Sequence, residues 1–284
     1  MVEKDEHVLE AIGRARVVIR EGRVVEVGPP LIRHCPLARR FAQPVTEMTS
    51  DAIRANMEER IRGYGMCTDR RQLISDRDFV LFGASELISN ALQKHILDCA
   101  VIVCDGAGTV LLTDPFLVQG IGGRMSGLLF TTPIPAVIRG IRDKGGRTLS
   151  PDATIDQYAG TALAYHLGFD RVAVTVADPK TAAAIRKDYP ESLLFGVHLT
   201  GLSANAAEMM AQFCDLLSSC ASKEVRAVAG KAALFQAGGS VPIFALTRKG
   251  KDLILEKLRE TNTPLFVKAG LLPVELGEQP EPLI

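Results

Sequence analysis

From Phe79 to about Glu260 the chain alternates short β-rich runs with helical stretches, and this alternation constrains the fold more than any other feature. "FVLFG" reads as a strand, "SELISNALQKHIL" as a helix, and "CAVIVCDG" as a strand that ends at Cys104–Gly106. "IPAVIRGIRDKG" and "TIDQYAGTALAYHLGF" read as helices, "RVAVTVAD" as a strand, and "KTAAAIRKDYP" as a helix. "LLFGVHLTG" follows as a strand and "SANAAEMMAQFCDLLSSCA" as a helix. "VRAVAG", "ALFQAG" and "VPIFAL" read as three closely spaced strands, and "RKGKDLILEKLRE" as an amphipathic helix. Strands joined through helices need crossover connections, and crossovers produce a mostly parallel sheet with helices on both faces. The predicted class is α/β.

Before Phe79 the pattern differs. "ARVVIREGRVVEVG" has two β-branched runs around Glu21-Gly22, which is a β-hairpin signal. The three prolines of "PPLIRHCPLARRF" deny helix and central strand and make that stretch a loop. "TSDAIRANMEERIRGYGMCT" places Ile53, Met57 and Ile61 on one helical face, with Thr49 or Ser50 as cap and Gly63/Gly65 as stop. The expected organisation is an N-terminal hairpin and helix segment (1–78) packed on the main domain. A first α/β half (79–150) and a second (151–284) follow, divided softly at Asp143–Thr154.

Totals exclude several function classes. The 33 basic and 33 acidic side chains balance, so nothing favours nucleic acid or an anionic membrane as partner. No apolar run approaches the roughly 18 residues of a membrane span. The charged start "MVEKDEH" is not of signal-peptide type, so the chain reads as cytoplasmic. In a reducing compartment six cysteines among 284 residues are thiols, buried fillers or metal ligands.

Chemistry concentrates in a few places. In "DPFLVQGIGGRMSG", Gly120, Gly122, Gly123 and Gly127 surround Arg124. Glycines let backbone N–H groups approach a phosphate, and Arg124 could add a bidentate contact, so this is a candidate loop for a small anionic ligand. It is neither GxGxxG nor a P-loop, and a plain tight turn is the alternative. Cys104 and Asp105 stand at a strand's carboxyl end, where open α/β sheets bind ligands. Cys35, Cys67 and Cys104 all fall on loops or strand ends and could converge on a [4Fe–4S] cluster. They lack a CxxC signature, and packed thiols are the alternative. Cys99 faces away from Cys104 across the strand, and Cys214 and Cys220 are fillers on one helix. His198 ends a strand and could project into the same crevice as Cys104.

Four blocks, "GRARVVIREGRVVEVGPPLIRHCPL", "RIRGYGMCT", "DFVLFGASE" and "VCDGAGTVLLTDPFLVQGIGGRMSGL", resemble the methanogenesis marker protein 8 family. The resemblance implies an archaeal cytoplasmic protein serving methanogenesis. Its implied work is maturation, activation or modification of methyl-coenzyme M reductase or its cofactors, with that enzyme or its maturation proteins as partners. It hands over no catalytic residues. Three readings stay open: a maturation factor with an iron–sulfur or thiol site, a non-catalytic assembly protein, and a metal-free small-molecule enzyme using Cys104 or His198 with Asp105.

Overall fold

The computed structural model describes residues 5–35, 38, 44–125, 127–239, 241–267, 269–277 and 284. Strands β1 (His7–Glu10), β2 (Arg16–Arg20) and β3 (Arg23–Val27) come first, followed by helix α1 (Ser50–Tyr64). Then come α2 (Ala84–Gln93), β4 (Cys99–Cys104), β5 (Gly108–Leu112), α3 (Pro115–Gly122), β6 (Gly127–Thr131), α4 (Pro135–Asp143) and β7 (Arg147–Thr148). The chain continues through α5 (Gln157–His166), β8 (Val172–Val176), α6 (Pro179–Asp188), β9 (Leu193–Gly196), α7 (Ala204–Phe213) and β10 (Leu216–Ser218). It ends with α8 (Lys223–Ala232), β11 (Phe235–Ala237), β12 (Ile243–Ala245) and α9 (Arg248–Arg259).

The α/β class holds. The larger sheet has the order β11-β12-β10-β9-β8-β4-β5-β7. Its centre, β4, β8, β9 and β10, is parallel, and antiparallel strands flank it on both sides. Strand alternation sends Ala100, Ile102 and Cys104 to one core, shared with Leu87, Leu117, Ile138 and Ile254 from α2, α3, α4 and α9. Cys99 and Val101 point to the opposite core, shared with Ala164, Ile185, Met210 and Val225 from α5 to α8. Burying each such aliphatic side chain is worth about 1.5–3 kcal/mol, which is why both faces carry helices.

The second sheet, β3-β2-β1-β6, is antiparallel, and α1 packs on it through Ile53, Met57 and Ile61. The hairpin around Glu21-Gly22 and the Thr49 cap are as the sequence indicates. Val103 of β4 reaches this third core, so sheet and helix sit over the carboxyl end of β4.

Four local expectations are corrected. "FVLFG" is not a strand, because Glu86 in the first turn of α2 accepts from Phe79 N–H (3.1 Å) and Val80 N–H (3.4 Å) and curls the segment. "VRAVAG" belongs to α8, where Ser222 caps Val225 N–H and the apolar spacing is helical. The long helix predicted through Cys220 ends at Phe213. Asp215 accepts from Leu194 N–H (2.9 Å) and Arg186 (2.6 Å), drawing the chain into β10 and placing Cys214 and Cys220 on different elements.

The glycine segment is the fourth. Asp114 caps Phe116 and Leu117 N–H and Pro115 occupies the first turn, so "PFLVQGIG" is helix α3 rather than a loop. A side chain on Gly120 would land on the Leu73 carbonyl, so this glycine exists to let the 73–74 backbone cross the helix. Gly63 in α1 faces nothing within 4 Å. The two positions therefore have opposite expected signs. Gly63→Ala gains about 0.5–1 kcal/mol from helix propensity. Gly120→Ala loses about 1–3 kcal/mol to overpacking. Urea unfolding midpoints of the two variants check this, and a stabilised Gly120→Ala would contradict the close crossing.

Candidate functional site

Asp105 immediately follows β4 and is fully buried. Its two carboxylate oxygens hold two points of the loop that follows α1. Oδ2 accepts from Cys67 N–H at 2.6 Å, and Oδ1 accepts from Arg71 Nε–H at 2.9 Å. Arg71 is itself buried, and its other nitrogens donate to Gln72 O (2.6 Å), Gly120 O (3.3 Å) and Ile121 O (3.4 Å). The guanidinium thus pairs with a carboxylate and caps the carbonyl end of α3, where the helix dipole favours a cation. Burial alone would lower the Arg71 pKa, but the adjacent Asp105 outweighs it and raises the group.

Cys67 is held at φ +57°, a left-handed conformation that costs a non-glycine residue about 1–2 kcal/mol. The bond to Asp105 offsets that strain. Cys104 Sγ donates to the Asp105 backbone carbonyl at 3.4 Å. Burial, then the Asp105 charge, pushes both thiols well above their ordinary range. At neutral pH both are protonated, which makes them poor nucleophiles.

On the far side of Asp105 a polar chain begins. Gly106 N–H donates to Thr131 Oγ1 at 2.8 Å, and Thr131 Oγ1 lies 2.6 Å from His7 Nδ1. His7 Nε2 meets Asp5 Oδ1 at 3.0 Å. A carboxylate can only accept, so His7 carries its proton on Nε2 and receives the Thr131 hydroxyl proton on Nδ1. His7 is fully buried, and desolvation lowers its pKa despite the pull of Asp5 and Asp105. Asp5 also accepts from Glu21 N–H at 2.5 Å and so ties the hairpin turn to the site. A cleft of about 510 Å³ opens here, walled by Asp5, Arg23, Cys67, Asp69, Arg70 and Ile134.

The structure brings Cys67, Cys104 and Asp105 together at the end of β4. Cys35 is on the segment after β3, beside His34. Among the described residues no three His, Cys, Asp or Glu side chains are grouped to hold a metal ion. Of the glycine segment, Gly120 and Gly122 are in α3, Gly123 is its C-cap, Gly127 opens β6, and Ser126 lies outside the described residues. His198 follows β9 at φ +56°, and Gly127 faces its ring. Glu10 and Arg60 are the charges that act on it, rather than Asp105.

Sequence reasoning passed over Arg71 and Asp5 and did not connect His7 with Thr131. Arg71 sits in the charged run "TDRRQ", which reads as solvated surface. His7 lies on a four-residue strand whose partner, β6, is more than 120 positions away. The signal that could have found Arg71 is Asp105 itself, since a carboxylate at a buried strand end requires a partner.

Residues 7–259 match a family described as an uncharacterized protein conserved in archaea (DUF2099). An uncharacterized protein of Methanocaldococcus jannaschii is 41% identical over 284 residues, covering 99% of this chain and all of that protein. No solved structure gives a significant match. No helix among the described residues is long and apolar enough to cross a membrane.

Two predictions follow from the geometry. Asp105→Asn leaves Arg71 buried and uncompensated and costs about 3–5 kcal/mol. The double variant Asp105→Leu with Arg71→Met costs less than the sum of the single changes by at least about 1 kcal/mol. Denaturant unfolding of the four proteins measures the coupling, and strict additivity would contradict the pairing. For His7, the folded-state pKa lies below the unfolded one. Its neutral burial therefore supports the fold above about pH 6.5 and loses support as pH falls, by about 1.4 kcal/mol per unit of depression. The fall in melting temperature between about pH 7 and 5 is expected to be shallower in His7→Gln; identical slopes would rule His7 out as its source.

Proposed function

The chain belongs to this archaeal family, and from that premise we propose that it is an enzyme carrying out acid–base chemistry on a small polar molecule in the cleft beside Cys67. In keeping with the resemblance to methanogenesis marker protein 8, its work serves maturation or modification of methyl-coenzyme M reductase or its cofactors. The observation that carries the reading is the Asp5–His7–Thr131 chain opening onto the cleft. Asp5, about one-third exposed, meets solvent, while the imidazole behind it is fully buried. A carboxylate backed by a neutral histidine and a hydroxyl can take a proton from a bound molecule and hold it in a low-dielectric setting. Arg23 and Arg70 stand beside Asp5, Glu21 and Asp69, so the cleft wall suits a molecule bearing both signs of charge. Cys67 lines the cleft, and its protonated thiol is not the nucleophile.

Incubating the full chain with the small-molecule extract of a methane-forming archaeon, followed by mass spectrometry, tests this reading. At least one compound should be consumed by the natural protein and spared by Asp5→Asn and His7→Gln variants that remain folded. An extract unchanged by the natural protein, or changed equally by all three, would overturn it.

A second reading, a non-catalytic assembly protein, is favoured by exposed apolar side chains. Phe266 is 90% exposed, and Leu129 and Phe130 stand out on the open edge strand β6. On that reading Phe266→Asp abolishes capture of reductase maturation proteins while Asp5→Asn leaves it intact.

A further inference from the structure

The arginine of the glycine segment is absorbed neither by the Asp105 pair nor by the cleft. Its guanidinium carbon lies 4.1 Å from the centroid of the Tyr64 ring and 5.7 Å from that of Phe79. Such stacking fixes the plane of the group and leaves its edges for hydrogen bonds. One edge is used, since Nη1 donates to Gln72 Oε1 at 3.1 Å. Nε is buried and has no hydrogen-bond partner among the described residues. The partner of Nη1 is thus a neutral amide, and a buried guanidinium donor such as Nε is costly to leave unmet. The residue as a whole is only half-buried, so the group can be reached from solvent.

The neighbourhood is positive. Arg71 acts on Arg124 as a like charge, and burial and that charge together lower the Arg124 pKa. Arg60, one turn before Tyr64 on α1, is pushed by burial down to about 10. The preceding glycine has a matching role, because a side chain on Gly123 would meet the Phe79 ring at 2.8 Å. Glycine there lets the aromatic ring come up against the chain beside Arg124.

We propose that Arg124, clamped between Tyr64 and Phe79 and oriented by Gln72, is the recognition residue of a second site that binds the anionic group of a small molecule. The shared chemistry is that of a phosphoryl or carboxylate group, either of which accepts in-plane donors from a guanidinium. This site is separate from the Asp5–Cys67 cleft, and it stands whether or not that cleft is catalytic.

Calorimetric titration of the full chain with pyrophosphate and, separately, with citrate at low ionic strength tests the proposal. Saturable binding of one or both is expected, weakened about tenfold or more in Arg124→Gln and less in Arg124→Lys. Binding of pyrophosphate alone marks a phosphoryl site, and binding of citrate alone a carboxylate site. Tyr64→Leu should also weaken binding by freeing the guanidinium, while Asp5→Asn should not change it. No saturable binding of either anion overturns the proposal. So does an Arg124→Gln variant that melts like the natural protein and binds just as tightly.

Discussion

The carboxylate of Asp105 is the constraint on which the arrangement around the end of β4 depends. A buried charge of this kind is tolerated only when its oxygens are fully engaged, and here both engage the loop after α1, one of whose residues reaches on to α3. One oxygen holds Cys67 in the loop after α1, and the other holds Arg71, which grips the carbonyl end of α3. The next residue, Gly106, donates to Thr131 of β6 and so ties in the antiparallel sheet. The hairpin sheet, α1 and α3 are thereby registered against the parallel sheet at one point.

This registration creates the chemistry. It places a residue in left-handed backbone on the wall of a cleft, a neutral histidine behind the carboxylate that rims it, and a stacked guanidinium beyond the Gly65–Gln72 loop. Burial decides which groups can act. It raises the Cys67 and Cys104 thiols so that they stay protonated, and lowers His7 so that its imidazole stays neutral.

The parallel core was legible because its signals are local. The apolar runs of β4, β8 and β9 are bounded by helices whose apolar spacing is unambiguous, and Thr49 and Gly65 punctuate α1 as their types dictate. The same logic located Asp105 and Cys104 at a strand's carboxyl end. What stayed hidden depends on distant partners. Glu86 disguises "FVLFG" as a curl, and Asp215 ends a helix that composition alone would extend. His7 has meaning only once β1 lies against β6. In "DPFLVQGIGG" the glycines drew attention from the Asp-Pro opening, which is the stronger signal and starts a helix. Those glycines serve close packing, and the arginine after them stacks on Tyr64 and bonds Gln72.

Native-state hydrogen exchange at the Cys67 amide tests the central role of Asp105 most directly. This amide lies in a loop, outside regular secondary structure, and a loop amide ordinarily exchanges through small local openings. If the Asp105 carboxylate pins it, exchange should require unfolding of the surrounding core, with protection comparable to that of β4 amides and lost in Asp105→Asn. Rapid exchange of Cys67 in the natural protein, at the rate of exposed loop amides, would contradict the account.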